Sequence, residues 1–178
     1  MPMRHPCVYK TAAESELGGM CYTNELGEEP CVRLTCGHVF HANCTLMMLT
    51  HRWPTLKISF GYLDCPACKQ LMEVDYDIPG LTDILDEQVD LRKLVRFLSV
   101  QMAREEGYDK EGRVVTPGDK YYGQLEEFAV HNSTFYECIR CKEPYFGGME
   151  DAQHAMNSEE YLSKEDLRCK KCIVLELG

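Results

Sequence analysis

Cys36-Gly37-His38-Val39-Phe40-His41-Ala42-Asn43-Cys44, answered by Cys65-Pro66-Ala67-Cys68, is the stretch that decides how this chain folds. It reads C-x-H-x2-H-x2-C, then twenty residues, then C-x-x-C. Zinc takes four nitrogen or sulfur ligands in a tetrahedron, and the ligands come as close pairs on tight turns. One pair cannot close a site. Each pair here must therefore borrow another. Such spacing is a metal signature far more often than a set of buried structural thiols and imidazoles.

A second signature lies downstream. Cys138-Ile139-Arg140-Cys141 and Cys169-Lys170-Lys171-Cys172 form C-x2-C-x27-C-x2-C. Two knuckles brought together give a four-cysteine site with no open position. A metal held there is structural rather than catalytic.

Composition agrees with small metal-stabilised modules. The chain has 178 residues and 11 cysteines, most of them in C-x-x-C or C-x-H units rather than spread like a disulfide framework. Metal ligation supplies folding free energy that a thin apolar core does not. No apolar h-region follows Met1 and no apolar run reaches membrane-spanning length, so the expected setting is reducing, cytoplasmic or nuclear, without membrane insertion. With 19 Lys and Arg against 29 Asp and Glu, the net charge is −10. Nucleic-acid binders draw affinity from a basic face, so nucleic acid is not an expected partner.

Around the first signature, Val32 and Leu34 alternate and pair with Val39-Phe40 as a short hairpin. Leu46, Leu49 and Trp53 recur at helical spacing, which predicts a helix from Asn43 ended by Pro54. His51 on that helix reads as a solvated or packed side chain. Ile58 to Leu63 reads as a strand delivering Cys65. Leu81 to Glu106 is a long helix, with Thr82 at its start, Gly107 at its end, and an apolar stripe through Ile84, Leu91, Val95, Leu98 and Met102. Residues 109–123 read as loop. Tyr145-Phe146-Gly147-Gly148 opens the long loop between the two downstream knuckles.

The start of the chain leaves alternatives open. Cys21 has Gly18, not Cys, three residues before it. Cys7 can supply the missing ligand across a long loop, since closure entropy grows slowly with length. His5 or Cys31 can substitute, or the first site is defective. Cys31 itself reads as a strand residue.

The Cys36–Cys44 and Cys65–Cys68 order resembles the second half of a RING-H2 finger. The resemblance extends further. Cys36 to Cys44, Arg52-Trp53, Ile58-Ser59-Phe60-Gly61, Cys65-Pro66-Ala67-Cys68-Lys69, Thr116-Pro117-Gly118 and Cys138-Ile139-Arg140-Cys141 with Tyr145-Phe146-Gly147-Gly148 are similar, in order, to the catalytic core of the Highwire/Phr family of RING–Cys-relay ubiquitin ligases. The resemblance implies a small α+β fold of zinc-stabilised modules. Its expected parts are an N-terminal segment over 1–20, a cross-brace RING over 21–72, a helical linker over 73–110 and a four-cysteine zinc module over 111–178. It implies interleaved ligands: Cys36, His38, Cys65 and Cys68 on one ion; His41 and Cys44, with Cys21 and Cys7, on another. Three zinc ions are expected, or two if the first site is defective. It also implies a RING that binds an E2 and its ubiquitin through Met20, Trp53, Pro66 and Lys69. A protein substrate or a larger protein complex completes the expected partners.

One departure bears on mechanism. The family's relay cysteine falls at Ala152 here, and no cysteine lies between Cys141 and Cys169. Without a thiolate there is no nucleophile for a thioester step. The expectation is a RING-type ligase that positions an E2–ubiquitin conjugate and supplies no nucleophile. The alternative is a non-catalytic, zinc-stabilised scaffold with a degenerate RING.

Overall fold

The computed structural model describes residues 19–22, 26, 29–110, 117–118, 120–149 and 167–177. His5, Cys7, Thr116 and Ala152 lie outside the described residues. The elements are short, as expected of a small α+β chain: two two-stranded sheets and a handful of helices. The chain divides into two compact units, residues 1–52 with 59–89, and residues 53–58 with 90–178.

In the first unit, β1 (Cys31–Arg33) pairs antiparallel with β2 (Val39–His41), with Val32 opposite Phe40. The turn between them carries Cys36 and His38 and needs Gly37, whose φ is +88°. Gly37 donates its N–H to the Leu34 carbonyl at 2.8 Å, and Leu34 donates to His38 at 2.9 Å. Helix α1 (Ala42–His51) follows at once, so β2 and α1 set His41 and Cys44 one turn apart. The helix stops at His51 rather than reaching Trp53. Arg52 adopts φ 54°, ψ −130°, a conformation that cannot continue a helix, and Pro54 follows. His51 Nδ1 donates to the Met47 carbonyl at 2.8 Å and is exposed.

The strand expected over 58–63 is not formed. A 3-10 turn (Gly61–Leu63) replaces it, closed by Leu63 N–H on the Phe60 carbonyl, and only single bridges flank it. Cys65 is delivered by that turn. The core beneath is Val32, Leu34, Phe40, Leu49, Leu63, Cys65, Met72, Leu81 and Leu85, with Met20 packed against it. Tyr62 donates its hydroxyl to Gln88 Oε1 at 2.7 Å, giving the buried amide its partner.

Helix α2 (Thr82–Glu105) matches the apolar stripe in the sequence. Its start differs in detail: Thr82 Oγ1 turns back, accepting from Ile78 N–H at 2.7 Å. Its end follows the glycine signal. Gly107 has φ +80° and donates to Arg104, while Tyr108 donates to Ala103 at 2.8 Å, a Schellman closure.

The second unit holds α3 (Leu125–Asn132), then β3 (Ser133–Glu137) paired antiparallel with β4 (Pro144–Met149), then α4 (Lys170–Leu177). Tyr145 to Gly148 therefore lie in a strand, not in the loop expected from their glycines. Gly147 is there because Tyr136 needs the space: a Cβ at 147 would sit 2.4 Å from the Tyr136 ring. The stretch 53–58 joins this unit, with Lys57 bridging Tyr136 and Ile58 N–H donating to the Phe135 carbonyl at 2.8 Å.

Candidate metal centres

Three groups of ligand-type side chains converge among the described residues. They are Cys36, His38, Cys65 and Cys68; Cys138, Cys141, Cys169 and Cys172; and Cys21, His41 and Cys44. Within each group the donor atoms all lie within 4.8 Å of one another. The first and third groups interleave along the chain. One takes Cys21, skips to His41 and Cys44; the other takes Cys36 and His38, then Cys65 and Cys68. This alternation is the cross-brace.

The donor spacing fits a tetrahedral ion. Metal–sulfur bonds of about 2.3 Å and metal–nitrogen bonds of about 2.0 Å put sulfur pairs about 3.8 Å apart and sulfur–nitrogen pairs about 3.5 Å apart. Cys36 Sγ stands 3.5 Å from His38 Nδ1, and Cys21 Sγ stands 3.4 Å from His41 Nδ1. Cys44 Sγ is 3.9 Å from the same His41 nitrogen. Cys141 Sγ and Cys169 Sγ are 3.8 Å apart. Both histidines present Nδ1, and His41 is buried. Soft thiolates with borderline imidazoles are donors that suit zinc.

Two knuckles are built alike. Lys69 N–H donates to Cys65 carbonyl at 2.8 Å, and Cys65 N–H to Gln70 carbonyl at 2.7 Å. Lys142 N–H donates to Cys138 carbonyl at 2.9 Å, and Cys138 N–H to Glu143 carbonyl at 3.0 Å. Backbone N–H groups also tune the sulfurs. Burial acts to raise the Cys138 thiol, but N–H groups of Cys141, Cys169 and Arg140 outweigh it and bring the thiol down to about 6. The same contest lowers Cys65, with burial opposed by the N–H groups of Cys68 and Ala67. Burial dominates at Cys172, pushed up to about 12, and raises Cys36 and Cys44. One thiolate stabilised beside a protonated partner is what a tight thiol cluster does before a cation neutralises it.

Two residues that spacing did not single out complete the four-cysteine group. Leu167, buried, accepts from Ile139 N–H at 2.8 Å and so holds the second knuckle against the first. Tyr145 packs on the sulfurs from β4, and burial there raises its phenol. The aromatic was visible in the sequence, but nothing local marked its partner.

The remaining sequence candidates fall as follows. Met20 is half-buried on the first core, Pro66 is half-buried in its knuckle, and Lys69 is exposed with φ 62°. Trp53 is half-buried in the 53–58 stretch of the second unit. Cys31 joins none of the three groups; its thiol donates to Leu26 and Glu29 carbonyls at 3.0 and 3.3 Å. Among the described residues, no helix is long and apolar enough to cross a membrane.

The fold and its donor groups define a cross-brace module accompanied by a four-cysteine knuckle pair. No family model matches the chain. It is 29% identical over 177 residues, 97% of its length, to "E3 ubiquitin-protein ligase MYCBP2" of Danio rerio. It is 31% identical over 153 residues, 86% of its length, to "E3 ubiquitin-protein ligase highwire" of Drosophila melanogaster. The resemblance to Highwire-type ligases that the motifs carry is thus found across most of the chain. The chain spans 4% and 3% of the lengths of those two relatives.

Proposed function

We propose that this chain is a RING-type E3 ubiquitin ligase module that binds a ubiquitin-loaded E2 and promotes transfer without a nucleophile of its own. The observation that carries it is the interleaving of Cys21, His41 and Cys44 with Cys36, His38, Cys65 and Cys68. Similarity to proteins named as E3 ligases supports it. Zinc at the three groups acts as a structural cross-link, and Cys7 supplies the fourth ligand beside Cys21, His41 and Cys44. Zinc chemistry here is the pinning of loops, since the two four-donor groups have no position left for substrate.

The chain's own residues would act by positioning. Met20, Trp53 and Pro66 offer apolar contact to the E2, and Lys69 offers a cation to the E2 and ubiquitin. Holding a thioester in an attack-ready pose lowers the barrier without covalent chemistry. Ala152 stands where the resemblance places a relay cysteine, so transfer passes directly from E2 to an amine. Intracellular, reducing surroundings, cytoplasmic or nuclear, suit thiolate ligands.

The test is discharge of a panel of ubiquitin-charged E2s, with free lysine, serine and threonine as acceptors. Faster lysine discharge that Trp53→Ala abolishes, with zinc content unchanged, is the expected result. Discharge to threonine or serine would mean relay chemistry by another route. No acceleration by a folded, zinc-loaded chain would leave a second reading, a zinc-stabilised scaffold. The group of three rather than four donors among the described residues favours that reading.

A further inference from the structure

Non-glycine residues rarely take a positive φ. Among the described residues four do: Tyr22 at 55°, Arg52 at 54°, Lys69 at 62° and Lys142 at 61°. Arg52 ends a helix. The other three each directly follow a cysteine of a donor group. Lys69 and Lys142 follow the closing cysteines of C-x-x-C knuckles, and their left-handed backbone turns the N–H back onto the opening cysteine's carbonyl. Tyr22 follows Cys21 in the same conformation. Gly19 and Met20, just before it, rest on the first core: a Cβ at 19 would meet the Phe40 ring at 3.4 Å, and Met20 packs on the core cluster.

We infer that Cys21 closes a third knuckle of this kind, whose opening position falls on Gly18. By the spacing of the other two, the opening residue lies three before the closing cysteine. Glycine has no donor atom. The frame of a knuckle persists while its first ligand is missing, so the site shared with His41 and Cys44 draws its fourth ligand from outside the turn. A soft thiolate at position 18 would complete the tetrahedron in place, as Cys65 and Cys138 do in theirs. This rests on the reading of the group as a zinc site.

The test uses the full chain in a Cys7→Ser background, so that Cys7 does not compete. Cobalt(II) replaces zinc, because each thiolate ligand adds sulfur-to-metal charge-transfer absorbance. Gly18→Cys is expected to add one thiolate's absorbance over Cys7→Ser alone and to slow loss of one ion to a chelator about tenfold or more. Gly18→Ser, which offers no thiolate, is expected to do neither. Ions at the Cys65 and Cys138 groups serve as the internal check on folding. A chain loaded at those two groups, with absorbance and release unchanged by Gly18→Cys, overturns the inference. A wild-type chain that takes up no metal at all overturns the zinc reading beneath it.

Discussion

Cys31 stands directly opposite His41 in the β1–β2 pair, yet its sulfur leaves that face of the site. The thiol instead donates to the carbonyls of Leu26 and Glu29, tying down the chain that leads into β1. Proximity in register is therefore not ligation.

Cys31→Ser should keep that role, since a hydroxyl donates to the same carbonyls. Zinc per chain, read by native mass spectrometry, should be unchanged. Cys31→Ala should also keep the zinc and cost about 1 kcal/mol, the size of a lost partly buried hydrogen bond. Loss of an ion with Cys31→Ser would place Cys31 among the ligands.

Cys65→Ser and His38→Ala remove donors from the four-ligand group that the Leu63–Cys65 turn brings to the β1–β2 hairpin. Structural zinc contributes on the order of 10 kcal/mol or more in small sites, well above the stability of a small domain. Each variant should lose one zinc and broaden the NMR signals of the first unit. Retained zinc with sharp signals would refute the ligand set.

Gly147→Ala puts a methyl group 2.4 Å from the Tyr136 ring. The ring is buried and also meets Tyr145 at a centroid distance of 5.8 Å, so it has little room to yield. Overpacking of this kind costs about 1–3 kcal/mol. Thermal or denaturant unfolding of the second unit should shift accordingly. Gly147→Ala with Tyr136→Leu should recover part of the loss.

Protons compete with zinc for the four downstream sulfurs. The folded-state value of Cys138 is depressed, from 9.0 to about 6. A depressed acid stabilises the folded form above its unfolded value, and that contribution is lost as pH falls through the folded value. The four-cysteine group should therefore bind metal readily at pH 7 and fail progressively as pH drops through about 6. Cys138→Ser should remove this step from a pH titration of metal affinity.

The ligand pairs were legible in the sequence because a knuckle is local: two cysteines, a turn and a following residue fit within six positions. The same holds for the α2 stripe and for Gly107, whose helix-ending role depends only on its own φ. What escaped were features decided at a distance. Gly147 and Gly148 read as loop, and only Tyr136 across the hairpin explains why a strand tolerates them. The apolar run from Ile58 read as a strand, but its only ladder partner among the described residues is the distant β3, so pairing stops after one bridge. Trp53 fell on the helical period of Leu46 and Leu49, but the backbone of Arg52 broke that period.

The bond from Ile58 to Phe135 joins positions separated by nearly half the chain. Such a closure is slow, because a long loop must be ordered before the contact rewards it. During synthesis, residues 53–58 emerge well before β3 exists to receive them. Their apolar side chains must wait, bare, while the hairpin and α1 before them can already assemble. Any fragment ended before residue 137 keeps that ribbon permanently without its mate, so solubility rather than zinc content should be the first thing to suffer.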